Sequence, residues 1–111
     1  MPEFEFGGPG FPSVTQAQTG CIYKNAVTLL KATLNATETL FPGDVVRYYL
    51  VVVAADASPP TSLTGWDEVS NGIEHTFTMT GEDAYLRVVF VGLGGTQSYI
   101  EDLSIQFVEA T

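Results

Sequence analysis

Apolar and polar residues alternate with a period of two along most of this chain, the spacing of β-strands rather than helices. The cleanest stretch is Ile73-Glu-His-Thr-Phe-Thr-Met-Thr80, with Ile73, His75, Phe77 and Met79 on one face and Glu74 with three threonines on the other. Gly81-Glu-Asp-Ala84 predicts a turn, and Tyr85-Leu-Arg-Val-Val-Phe-Val91 a further strand with Leu86, Val88 and Phe90 on one side. Gly92-Leu-Gly-Gly95 predicts the next turn, and a last strand runs from Tyr99 to Val108.

Upstream, Phe41-Pro-Gly-Asp44 is a turn signal, because proline suits the second turn position and glycine the third. It launches Val45-Val-Arg-Tyr-Tyr-Leu-Val-Val-Val-Ala54, the strongest strand in the chain. Val46, Tyr48, Leu50 and Val52 take one face; Val45, Arg47, Tyr49, Val51 and Val53 take the other. A strand with one wet face would alternate with polar residues. This one therefore reads as central, with its outer face covered too. Ala57-Ser-Pro-Pro-Thr-Ser-Leu-Thr-Gly65 reads as a loop, since consecutive prolines remove two backbone donors. Trp66 to Gly72 predicts a short strand ending at an Asn71-Gly72 turn.

Two segments read less simply. Ala26 to Leu34 fits either two helical turns or a strand with Thr28, Leu30, Ala32 and Leu34 on one face; the threonine-rich, β-patterned surroundings favour the strand. Residues 1–20 hold Pro2, Pro9, Pro12, four glycines and the phenylalanines Phe4, Phe6 and Phe11. Glycine and proline argue against regular structure, while three phenylalanines argue against a fully solvated tail. The expectation is an extended N-terminal arm over 1–20, its rings lodged in a groove on its own body or on a neighbour, followed by a β-domain over 21–111. Several short strands with regularly spaced turns point to an all-β antiparallel sandwich or barrel.

Composition narrows the function classes. A length of 111 residues fits one domain. Only 15% of residues are charged, fewer than a solvated surface usually carries. The net charge is −9, and the four cations Lys24, Lys31, Arg47 and Arg87 are dispersed. They cannot neutralise a run of phosphates, so nucleic-acid binding and anionic membrane surfaces are both disfavoured. Cys21 is the only cysteine, which excludes an internal disulfide and reads as a small buried apolar residue. No secretion signal is visible, so synthesis in a cytoplasm is expected and the Asn35-Ala-Thr37 sequon reads as chance.

Catalytic chemistry finds little material. His75 is the only histidine, on a strand face shared with Ile73, Phe77 and Met79, and reads as a core or edge residue. Zinc sites need more histidine and cysteine. Glu82–Asp83 and Glu101–Asp102 are adjacent pairs, and neighbours on a strand point to opposite faces. Gly92 to Gly95 lacks the Lys-Ser/Thr and the following helix of a phosphate loop. A non-enzymatic protein is expected. A sugar surface is the sharper alternative: Arg47 and Tyr49 share one strand face, Tyr85 and Arg87 the matching face of theirs, with Trp66 supplied by the loop. Cross-strand packing, with arginine stems covering apolar surface, reads the same residues differently.

The succession of a Pro-Gly-Asp turn, an aromatic-aliphatic strand, a threonine-rich strand, Gly-acid-acid, Tyr85-Leu-Arg-Val-Val-Phe90, a glycine-rich turn and Tyr99-Ile-Glu-Asp-Leu-Ser-Ile105 resembles the jelly-roll β-sandwich superfamily of galactose-binding-like and family 4/9-type carbohydrate-binding modules. The resemblance covers about residues 37–108. It implies a jelly-roll sandwich, a fold that also serves in bacteriophage virion proteins as capsid decoration, cement or tail components. It implies an acidic calcium ligand at Glu101 or Asp102. The opening tryptophan-containing strand and its calcium loop are not recognisable here. Together with the low charge, the apolar outer face of Val51, Val53, Val89 and Val91 and the arm's phenylalanines, it leads to one expectation: a structural module of a virion, docking on capsid proteins or copies of itself. Glycan adhesion is the alternative.

Overall fold

The computed structural model describes residues 3–7, 16–40, 43–91 and 99–110, of which 3–7, 16–19 and Tyr99 are described by backbone alone. Six strands form one antiparallel sheet: β1 (Glu3–Gly7), β2 (Gln16–Thr39), β3 (Val45–Val53), β4 (Asp67–Val69), β5 (Glu74–Val91) and β6 (Tyr99–Glu109), in the order β1-β6-β2-β5-β3-β4. Ala26 to Leu34, where a helix and a strand competed, lies within β2. Its β-branched and threonine-rich sequence pairs with β6 on one side and β5 on the other.

Two strands are too long to be straight. At ~3.3 Å per residue, the 24 residues of β2 would span about 80 Å and the 18 of β5 about 60 Å. The longest dimension of the molecule is 42 Å. Both strands must bend. In β2 the bend falls where its pairing with β5 breaks register, between Lys24 and Leu29. In β5 it falls near Gly81, which pairs with Leu29. A Cβ on Gly81 would collide with the Val53 backbone, so only glycine lets β5 pass this close. Gly81 to Ala84 is thus a bend inside one continuous strand, not the turn between two strands that its glycine and acids predict.

The bends carry the sheet around its main core. The first part of β2 (16–24) pairs with the second part of β5, which also pairs with β3. The later part of β2 pairs with β6 and the start of β5. Leu29, Ala32, Leu34, Leu103, Ile105 and Phe107 join Tyr48, Leu50, Val52, Leu86 and Val88 in one buried cluster. β6 shows why the alternation exists: Leu103, Ile105 and Phe107 are fully buried, while Asp102 and Gln106 are exposed. Phe107 also stacks on Tyr23, with ring centroids 5.1 Å apart.

The segment expected to be an arm enters the sheet at two places. Glu3–Gly7 pairs with β6, and Gln16–Gly20 runs directly into β2. The side chains of Phe4 and Phe6, and all of Phe11, lie outside the described residues.

The outer face of β3 is covered from Tyr49 to Val53, as its two-sided apolar sequence requires, but the cover belongs to the same chain. Tyr49, Val51, Val53 and Trp66 form a second buried cluster, against which Ala57, Leu63, Tyr85 and Val89 pack. The loop from Ala54 to Trp66 supplies the lid. Its short 3-10 turn, Leu63–Gly65, is capped by Ser62, and the Trp66 indole donates to the Pro60 carbonyl at 2.9 Å. Val51 and Val53 are therefore not a docking surface, contrary to the expectation. A Pro-Pro loop reads as solvent-exposed, yet its prolines and leucine offer apolar surface to a greasy sheet.

Candidate functional site

Acids and hydroxyls at the bends hold the lid in place. Asp83 is buried, and its Oδ2 accepts from Lys24 Nζ and from the Asp56 backbone N–H, both at 2.8 Å. Lys24 Nζ also pairs with Asp56 Oδ1 at 2.8 Å. The Lys24 hydrogen bond holds the Asp83 carboxyl below the ordinary range against the opposing push of burial. Glu82 accepts from the Ala55 N–H and from the Thr28 hydroxyl, each at 3.1 Å. The lid thus begins on two adjacent carboxylates of β5.

His75 has a structural employment of the same kind. Its Nε2 lies 2.8 Å from Asp67 Oδ2, which also accepts from the Thr78 N–H at 2.9 Å. Asp67 Oδ1 accepts from the Thr78 hydroxyl at 2.6 Å. Partial burial pushes the Asp67 carboxyl up, but the bonds from Thr78 and His75 outweigh it and hold the group low. The cluster fastens β4 to the first part of β5.

The residues expected to bind sugar come together but do not form a platform. β3 and β5 are neighbours, with Tyr49 opposite Arg87 and Val51 opposite Tyr85. Tyr49 and Trp66 are buried beneath the lid. The Arg87 guanidinium lies 5.0 Å from the centre of the Trp66 ring. The Tyr85 hydroxyl donates to the Ala57 carbonyl at 3.4 Å. This is the cross-strand packing reading, with aromatic faces turned inward. Only Arg47 is exposed.

Glu101 and Asp102 are both exposed on β6. The strand bulges there: Ile100 pairs with Glu38 and Asp102 with Thr37, leaving Glu101 between. Adjacent acids that would face opposite ways on a regular strand are so both turned to water. Among the described residues, no group of three or more His, Cys, Asp or Glu side chains is arranged to hold a metal ion.

An open groove of about 480 Å³ remains at the end of the sheet, where β2 hands over to β3. Val45, Val46 and Arg47 form one wall, Glu68 to Asn71 close one end, and Glu38 reaches in from β2. Glu38 is held: the Tyr48 hydroxyl donates to its Oε2 at 2.5 Å and Asn71 Nδ2 at 3.4 Å. Burial and then Glu38 push the Tyr48 phenol well above its usual range, so it stays a donor. Asn71 in turn bonds both backbone groups of Ala36 at 2.9 Å, using its amide as a strand would use its main chain. Beside the groove, Val45 and Val91 face each other across the ladder, 51% and 46% exposed. Glu38, Glu68 and Asn71 escaped the sequence reading. The one available signal was the polar residues flanking the Pro-Gly-Asp and Asn-Gly turns, which local pattern does not bring together. Comparison with protein-family models, with curated proteins and with solved structures finds no match to this chain.

Proposed function

We propose that this chain is a non-catalytic binding module that docks onto another protein through the sheet end bearing Val45, Val91 and the groove. The observation that carries the reading is the anatomy of that end. An exposed apolar pair sits beside polar groups of both signs, Arg47, Glu38 and Glu68, the apolar-centre and polar-rim arrangement of protein interfaces. Val91 is the member of the expected valine surface that stays accessible. The jelly-roll resemblance makes a virion the proposed setting, with a capsid or tail protein as partner and the chain acting as a decoration or cement component. The histidine and the carboxylates of Asp67 and Asp83 hold strands and lid together, which is why a binding role is favoured over chemistry. Carbohydrate adhesion receives no stacking platform from Tyr49 or Trp66.

A photo-crosslinking residue at position 91, with a control at Thr33 on β2, tests this in assembled particles and in producing cells. A discrete adduct at 91 and not at 33, identified by mass as an abundant structural protein, is the expected result. Glycan-array binding without such an adduct would transfer the function to carbohydrate adhesion; neither signal would overturn the docking role.

A further inference from the structure

The groove is also an unfinished sheet edge. β4 is only three residues long and pairs with Tyr48, Tyr49 and Leu50. Val45, Val46 and Arg47 continue β3 beyond the end of β4, and among the described residues their ladder partners lie in β5 alone. All three residues line the groove, together with Glu68 to Asn71. An unpaired strand edge is a template for a further strand. We propose that an extended, basic segment of a partner protein adds there as a strand, antiparallel to β3 and in line with β4. This rests on the docking role argued above and names how the partner is held.

Three features choose this occupant. Main-chain pairing to Val45–Arg47 would satisfy the open edge, and alternate side chains of an added strand face opposite sides. One set would lie over the exposed Val45 and Val91. The other would meet Glu38, pre-aimed by Tyr48 and Asn71, whereas Glu68, opposite Tyr49, shares the face of Val45. The partner's charge follows from complementarity: thirteen acidic residues stand against four basic ones in this chain, so a second copy is repelled and a lysine- or arginine-bearing segment is drawn in.

The test titrates the isotopically labelled full chain with an acetylated peptide of about eight residues alternating lysine and valine, read by amide chemical shifts. Two further peptides carry glutamate for lysine, or the lysine sequence with a fully N-methylated backbone. Saturable shifts at Val45–Arg47 and Val69–Asn71 are expected with the lysine peptide, and binding at least about tenfold weaker with each of the others. Glu38→Gln should weaken the lysine peptide by about tenfold while the remaining spectrum stays in place. Absence of shifts at Val45–Arg47 at about 1 mM peptide would overturn the proposal. So would equal binding of the N-methylated peptide, which cannot pair as a strand, or of the glutamate peptide. A crosslink at position 91 with a failed titration leaves docking standing and removes strand addition; the converse removes docking onto a structural protein and keeps the strand site.

Discussion

Asp83 is the position where local sequence and folded environment differ most. Beside Glu82 and after a glycine it reads as a solvated turn acid, yet it is buried and bonded to Lys24, 59 positions away. No local pattern reports a partner that distant. Both Asp83 and Asp67 have lowered carboxyl pKa values. Their stabilising contribution is therefore complete above the ordinary value of about 3.9 and lost as pH falls through the lower folded values. Urea midpoints should be nearly flat from neutral pH to about 5 and fall below about 4. An Asp67→Asn, Asp83→Asn double variant should start less stable and lose less on acidification; parallel curves for both proteins would refute these two groups as the cause. Tyr48→Phe removes the donor to Glu38 while keeping the ring in the core. A loss of about 0.5–1.5 kcal/mol in chemical denaturation is expected.

Strands were legible wherever one face is wet, as in β6, because period-two alternation is a direct record of burial. They were less legible where the chain departs from regularity. Gly81 marks a departure in any reading, but whether the chain reverses or bends there depends on what lies against it, and that is the Val53 backbone. Gly81→Ala should cost at least the ~1–3 kcal/mol of an overpacked core, because the obstructing atoms are main chain and cannot swing aside. A full-stability alanine variant in thermal unfolding would contradict the close approach. The lid makes the complementary case. The two-sided apolar sequence of β3 demanded a cover, and the sequence of the Pro-Pro loop did not announce itself as one. Trp66→Ala should cost about 3–5 kcal/mol and raise binding of a hydrophobic dye, as Val51 and Val53 become accessible.

Taken together, the fold leaves an open groove at the sheet end between β2, β3 and β4, the end proposed for docking. Val45 is 51% exposed at the start of β3, so Val45→Asp should alter stability by less than about 1 kcal/mol. The same change should abolish partner crosslinking from position 91; an intact adduct in that variant would move the interface elsewhere. The all-β class, the antiparallel strands, the turn at Asn71-Gly72 and the covered face of β3 were written in the order of the residues, because alternation and turn chemistry are local consequences of burial and backbone geometry. What covers that face was not, since a partner chain and a loop of the same chain satisfy an apolar surface equally well. Nor could local order place Glu38 beside Tyr48 and Asn71, or bury Tyr49 and Trp66 instead of displaying them. Those outcomes depend on two bent strands that bring distant segments together, and contact across a bend leaves no periodic trace in the sequence.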